Sequence, residues 1–418
     1  MKSRSGPNGG VAAGHITVLY GSKSGLRKDR RQSLNQDSPG VPGVSRAYIN
    51  FGVSTAAGDF NGDHFADLAV GAFTERTPAG VDAGTITVFY GSAKGLGRAI
   101  AFTEPNAGAY GHWGAHLAAT DINRDGRAEL VIGGGAEAAT HIGWFPSQPG
   151  RPAYTVLPEP QYYYSMDVVA GDITGDGYGD VIVTNAGEKM AVYLGGPNGL
   201  GPRQQEQYLA ATSLALGDIN GDGRADLVAG QGTWGRGGAI KVFLGAPKGL
   251  QTRLTITQNT PGVPGQDPGR GGFSDEFGAD AAVGNVNGDR YADVAIGVPE
   301  SHIGRKLGGY GAVVILKGGP KGLITSGAQY IHKDTKGVPG TPQSGGRFGG
   351  AVSLVDHNRD GKADLVVGGW GENHSMGGIW LFTGTKAGVS TTGTRFISPR
   401  DVAAPLKPNP EFGFRLSN

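Results

Sequence analysis

One nine-residue pattern constrains this chain more than any other feature. An acidic, glycine-punctuated loop recurs six times, at residues 59–67, 121–129, 172–180, 218–226, 285–293 and 356–364. Successive copies begin 62, 51, 46, 67 and 71 residues apart, about 59 on average, and that period fits the 418-residue length about seven times. A fixed period of this size marks a repeat architecture, which overrides the usual scaling of domain number with length.

Each loop sits between short apolar runs of strand type, such as Asp67-Leu68-Ala69-Val70-Gly71 and Thr85-Ile86-Thr87-Val88-Phe89-Tyr90. Glycine is 78 of 418 residues, far above the usual ~7%. Glycine-rich turns between short strands indicate an all-β chain, and four short strands per repeat indicate propeller blades. An aromatic-glycine pair opens most units: Phe51-Gly52, Trp113-Gly114, Phe277-Gly278, Phe348-Gly349 and Phe412-Gly413. The units near 162–170 and 208–216 lack it. The third-strand motif occurs seven times, starting near His15, Thr85, His141, Met190, Ala239, Ala312 and Gly378, whereas the acidic loop occurs six times. The expected fold is a seven-bladed β-propeller of four-stranded antiparallel blades, spanning residues 1–418 as one domain. Its first and last blade is shared between the two ends of the chain, and residues 1–13 are expected to be disordered or a truncated start.

The loops have the composition of a hard-cation site. Positions 1, 3, 5 and 9 carry oxygen side chains in every copy, and position 7 can add a backbone carbonyl. The five residues concerned are Asp59, Asn61, Asp63, Phe65 and Asp67 in the first copy and Asp121, Asn123, Asp125, Arg127 and Glu129 in the second. They are Asp172, Thr174, Asp176, Tyr178 and Asp180 in the third, and Asp218, Asn220, Asp222, Arg224 and Asp226 in the fourth. The fifth has Asn285, Asn287, Asp289, Tyr291 and Asp293, and the sixth Asp356, Asn358, Asp360, Lys362 and Asp364. About six oxygens in a flexible shell suit Ca²⁺, whereas Mg²⁺ keeps more water. Glycine at position 4 or 6 of each copy permits the sharp turn around an ion. Up to six calcium ions are expected, with the fifth site weakest because Asn285 replaces an aspartate. The plainer alternative is a set of Asp/Asn/Gly hairpin turns without metal. These loops are not EF-hands, which need a glutamate at position 12 and flanking helices.

Other classes find little support. The net charge is +1 with no basic stripe, so no nucleic-acid partner is expected, and no apolar run is long enough to cross a membrane as a helix. Cysteine is absent, which removes disulfides and thiolate chemistry. No His-Glu-x-x-His, Gly-x-Ser-x-Gly or Gly-x-x-x-x-Gly-Lys-Ser/Thr motif occurs. Reading the aspartate clusters as glycosidase acid/base pairs would require six active sites.

The Phe-Gly strand, the Asp-x-Asn-x-Asp-Gly-x-x-Asp loop and the strand after it resemble FG-GAP repeats, the units of the integrin α-subunit propeller, and the chain looks like a bacterial relative. The resemblance implies calcium in the loops and a ligand face opposite them. The first loop and its strand are absent and residues 1–10 contain no apolar leader; a start further upstream, carrying a signal peptide and the seventh loop, would explain both. The variable loops of the opposite face hold Glu75, Arg76, Trp234, Arg236, His302, Arg305, Trp370, Glu372 and His374, alongside a repeated connection at 39–43, 261–265 and 337–340. Charged and aromatic groups on loops of a rigid scaffold suit ligand binding, though the tryptophans could simply cover a channel mouth. The expected function is a monomeric, non-catalytic, extracellular or cell-surface module that binds a protein or glycan. The alternative is a secreted hydrolase or polysaccharide lyase, or its accessory propeller.

Overall fold

The computed structural model describes residues 2–5, 11–78, 80–103, 111–134, 140–143, 154–157, 167–184, 189–233, 237–265, 274–302, 309–404 and 411–417. These form an all-β, antiparallel propeller. Its six four-stranded sheets each follow chain order from the innermost strand outward. In the first of them Thr55–Gly58, Asp67–Ala72, Thr85–Phe89 and Ala99–Phe102 pair in sequence. The other five begin at His116–Thr120, Asp167–Gly171, Ser213–Gly217, Ala281–Gly284 and Ala351–Val355. These innermost strands pack against one another in chain order, around an axial channel. A further sheet near the amino terminus has three strands, Lys2–Ser5, Val11–Tyr20 and Arg27–Leu34. The expected seven four-stranded blades are therefore not what the described residues form. Within residues 1–13, expected to be disordered or a truncated start, 2–5 and 11–13 lie in strands.

The second strand of each four-stranded sheet starts at the loop's last carboxylate and continues as an apolar run, because it is covered on both faces. Glu129–Gly133, Asp180–Thr184, Asp226–Gln231, Asp293–Val298 and Asp364–Gly368 are buried at every residue. That is why they read as continuous apolar runs instead of alternating ones. The aromatic-glycine pairs lock sheet to sheet. Phe51, Phe277, Phe348 and Phe412 are fully buried; the last three each bridge a glycine that leads into the third strand of the preceding sheet, and Phe51 bridges Gly14 within Val11–Tyr20, the middle strand of the three-stranded sheet. At one such junction Gly311 has φ +85°, and a Cβ there would stand 2.0 Å from the Phe348 carbonyl oxygen. Where the pair is missing, Leu209 is likewise fully buried.

A second staple ties the outer edges. The Gln329 amide donates to the Val389 carbonyl and accepts the Val389 N–H, both at 2.8 Å. Gln205 with Leu250 and Gln32 with Leu96 repeat this bidentate contact. Arg395 takes the corresponding role towards the three-stranded sheet, donating to the Leu26 carbonyl at 2.9 Å. The bridge between Gly377 and Phe412 brings the carboxy-terminal segment back to the same region, and Leu416 and Ser417 line a cavity beside Ile16 and Val18.

Replacing Gly311 by Ala should cost more than ~2 kcal/mol, because a left-handed residue is strained and its Cβ meets backbone. Gly393→Ala, also at positive φ but with nothing within 4 Å of the added carbon, should cost only ~1 kcal/mol. Denaturant melts of the two variants check this difference.

Candidate cation loops and the opposite face

All six acidic loops join a first strand to a second strand, so they lie on one face of the propeller. Their hydrogen bonding is nearly identical. The position-1 carboxylate accepts the N–H of position 6 at 2.7–2.9 Å in five loops, from His64, Gly126, Gly177, Gly223 and Gly361. The position-5 carboxylate accepts the N–H of position 7 in all six, at 2.7–3.0 Å. Asn285 breaks the pattern: its amide nitrogen donates to the Asp289 carbonyl, where an aspartate would accept.

Position 9 is the buried member of the loop. Asp67, Glu129, Asp180, Asp226, Asp293 and Asp364 are at most 6% exposed. In four loops this carboxylate takes two backbone N–H groups from different elements. Asp226, for instance, accepts Ile219 N–H at 2.9 Å within the loop and Gly245 N–H at 2.8 Å near the end of the third strand, Ala239–Ala246. Asp67, Asp180 and Asp293 do the same. Burial pushes the position-9 groups up, Glu129 to about 7 and Asp180 and Asp226 to about 6, and repulsion from the carboxylates at positions 5 and 1 adds to it. That repulsion arises because each of these loops holds three carboxylates close together.

Neighbouring loops are stitched together. The position-8 N–H of one loop donates to the position-1 carbonyl of the loop before it at all five junctions. The donors are Ala128, Gly179, Ala225, Ala292 and Ala363, at 2.7–2.8 Å. Side chains reinforce the seams. Arg124 donates to the Asp176 carbonyl at 3.1 Å and lies 5.4 Å from the Tyr178 ring centre. Arg224 and Lys362, at position 7, pair with Asp222 and Asp360 of their own loops at 3.1 and 3.4 Å.

As a test of fit to a cation, the donor set is oxygen-only and its carboxylates repel one another, which is the electrostatic situation a divalent ion relieves. Among the described residues, however, no three His, Asp or Glu side chains form a ready-made metal cage.

On the opposite face, Arg76 and His374 are exposed, and His302 and Trp370 are half-buried. They belong to loops of three different sheets. Trp234, Arg236 and Arg305 lie outside the described residues. His302 Nδ1 is 3.0 Å from the buried Asp275 carboxylate. Arg347 lies 4.5 Å over the Trp370 ring and 2.7 Å from Glu300, and Phe414 packs edge-on to Trp370. Glu372 is not a surface ligand. It forms a buried ion pair with Lys333 at 2.6 Å, with side chains 1% and 3% exposed, and Lys333 also sits 5.2 Å from the Trp380 ring centre. Glu75 similarly accepts the Gln36 amide at 2.7 Å. Both Gln36 and Lys333 precede a Gly-Val-Pro-Gly connection, so the repeated connection anchors the ends of the second-strand loops. Sequence reasoning missed Arg347, Glu300, Asp275 and Lys333; the repeated connection was the signal available for the last.

The axial channel encloses a cavity of about 670 Å³. Alanine, valine and leucine line much of it, and His116 faces Asp167 at 3.3 Å near one end.

Replacing Lys333 by Met should cost ~3–5 kcal/mol, because it strands Glu372 in the interior, whereas the double change Lys333→Met with Glu372→Leu should recover most of that loss. Thermal melts of both variants decide it.

Comparison with known proteins agrees with this geometry. The FG-GAP repeat family matches residues 51–89 and 277–316, each running from the buried phenylalanine into the third strand. The FG-GAP-like repeat matches residues 172–229, which contain the third and fourth loops. Mouse integrin alpha-IIb is 34% identical over 145 residues, covering 34% of this chain and 13% of the integrin. Mouse integrin alpha-E is 37% identical over 117 residues, 28% of this chain and 9% of its own length. Rat phosphatidylinositol-glycan-specific phospholipase D is 33% identical over 126 residues, 29% of this chain and 15% of the enzyme. The chain thus matches under a fifth of the length of these curated relatives. A solved structure described as specific recognition of non-reducing terminal N-acetylglucosamine by an Agrocybe aegerita lectin superposes with a TM-score of 0.52. It covers 92% of this chain and 89% of its own at 15% identity, which speaks to fold alone. No helix among the described residues is long and apolar enough to cross a membrane. The chain carries FG-GAP repeats, and integrin alpha subunits are among its relatives.

Proposed function

We propose that this chain is an extracellular, calcium-loaded propeller that binds a protein or glycan through the face opposite the acidic loops, without catalysis. The observation that carries the reading is the sixfold repetition of one oxygen-rich loop, each copy stitched to its neighbour. Residues at positions 1, 3, 5 and 9, with the position-7 carbonyl, would hold the ions, whose charge offsets the repulsion among the carboxylates. The fifth loop is the weakest, since Asn285 already uses its amide to tie the loop internally. The ring has seven members in this reading, the three-stranded sheet being joined by the carboxy-terminal segment at 411–417.

Extracellular calcium modules bind with Kd of ~10⁻⁴–10⁻³ M, so ~1 mM calcium would stabilise each site by roughly 1.4 kcal/mol at the tighter end. Summed over the loops, removal of calcium should lower the melting temperature by on the order of 10 °C. Thermal melts with calcium and with a chelator check this, and an unmoved midpoint would defeat the calcium reading.

For the ligand, we favour the Arg347–Trp370–Phe414 cluster, the best-formed aromatic and charged group on the opposite face among the described residues. A glycan array and a protein-binding screen should yield a binder that Trp370→Ala weakens at least tenfold while the calcium-dependent melting is unchanged. The likeness to phosphatidylinositol-glycan-specific phospholipase D supports a second reading, an accessory propeller of a secreted hydrolase. Turnover by the chain itself, abolished by a single substitution on this face, would favour the enzyme.

A further inference from the structure

The net charge of +1 conceals a local excess. The outermost strand of the three-stranded sheet, Arg27–Leu34, opens with Arg-Lys-Asp-Arg-Arg, and all five of these residues are exposed. The outermost strands of the six four-stranded sheets are different. Ala99–Phe102, Tyr154–Leu157 and Ile324–Ile331 carry no basic residue, and Arg203–Tyr208, Gly249–Ile256 and Gly388–Ile397 carry one each. Charge on an outer strand can guard against edge-to-edge pairing. Six sheets of this propeller manage with one basic residue or none, so that guard does not account for four basic residues among five.

Local geometry turns this charge outward. Leu19 pairs with Arg31 and Tyr20 with Arg27, so Lys28, Asp29 and Arg30 bulge out of the ladder. Such a bulge re-aims the side chains it carries. The carboxy-terminal segment widens the patch. Arg395 donates to the Leu26 carbonyl at 2.9 Å, next to Arg27, and Asp401 pairs with Lys28 at 3.2 Å, beside the exposed Arg400. Segments 23–34 and 395–401 together hold seven basic and two acidic residues. Both acidic residues are engaged, Asp29 with Arg27 and Asp401 with Lys28. Arg31 donates to the Lys28 carbonyl at 2.6 Å, and Arg30 lies 5.9 Å from the Tyr20 ring centre. Among the described residues, no carboxylate is within ion-pair distance of Arg30, Arg31 or Arg400.

From this charge distribution we propose that the edge is a binding surface for a linear anionic polysaccharide. Most of its cations are arginines, whose guanidinium forks match the paired oxygens of an anionic group. The exposed cations follow one strand, so affinity comes from several weak contacts in a row. A polymer supplies those contacts together, and a single small anion does not. Nucleic acid fits less well. Single strands need aromatic faces on which bases stack, and Tyr20 lies under Arg30 with its hydroxyl bonded to Gln32. A lipid surface also fits less well, because none of the large apolar side chains exposed among the described residues lies in either segment. The proposal rests neither on calcium in the loops nor on the ligand of the opposite face.

The test uses the full chain and fluorescein-labelled heparin as the probe, with fluorescence anisotropy and thermal melting as readouts. Saturable binding is expected, weakening at least about tenfold between about 50 and about 200 mM salt, because neutralised charges release their counterions. The double change Arg30→Glu with Arg31→Glu should weaken binding at least about tenfold and leave the melting temperature unchanged. The same reversal at two exposed lysines of other sheets, Lys248→Glu with Lys321→Glu, should change binding less than about twofold, since salt screens distant charges. If the glutamate pair fails to fold, Arg30→Gln with Arg31→Gln takes its place and should weaken binding at least about threefold. Four results overturn the proposal. They are no binding of heparin, unchanged binding by the folded Arg30 and Arg31 variant, an equal loss in the lysine variant, and tighter binding of a single-stranded oligonucleotide or a phosphatidylserine vesicle than of heparin.

Discussion

The buried position-9 carboxylate is the interaction on which the arrangement of the acidic face depends. In four loops it accepts one N–H from its own loop and one from a glycine at or just past the end of the third strand, so a single side chain fixes the loop against the middle of its sheet. Such charge-assisted bonds are among the stronger ones available, and they are needed because the group is removed from water. The loops so fixed present their position-8 N–H groups to the carbonyls of the loops before them. Six local turns thereby become one continuous rim, and the geometry of each depends on its neighbours.

That rim explains the division of labour between the faces. The peptide unit between positions 7 and 8 points its N–H at the preceding loop and its carbonyl along its own loop. In the proposed calcium-bound state the same unit would link two adjacent ion sites. The opposite face is held differently, by the Lys333–Glu372 and Gln36–Glu75 contacts under the loops and by the aromatic-glycine bridges. With the frame secured there by buried contacts, the outer loops are free to vary in length and side chain, as ligand-binding loops on a scaffold do. Arg347 and Trp370 stand on such a frame, while Glu372 belongs to it.

Much of this was legible in the sequence for a simple reason: a repeated unit writes its geometry several times. The period located the loops, and the apolar runs after Asp67, Asp180 and Asp364 marked strands covered on both faces. The contacts between sheets were not legible. The bond from Ala225 N–H to the Asp172 carbonyl involves backbone atoms that every residue has, so no side-chain pattern announces it. Glu372 looked like a ligand because glutamate on a loop is usually exposed, and only the approach of Lys333 from another sheet makes it a buried pair. The amino-terminal sheet was read as missing its loop and strand, yet Lys2–Ser5 supplies part of that strand, a segment too short and polar to be recognised by alternation. For Trp234, Arg236 and Arg305 the structure describes no placement.

The central claim is that the acidic rim is a set of cation sites and not a ring of self-sufficient turns. Equilibrium dialysis against ~1 mM calcium, followed by elemental analysis of the protein, tests it most directly. The account predicts about five or six bound ions per chain, as the ligand sets imply, with the site containing Asn285 the first to be lost on dilution. Fewer than about one ion per chain at that concentration would contradict it, and the loops would then be turns held by their own hydrogen bonds.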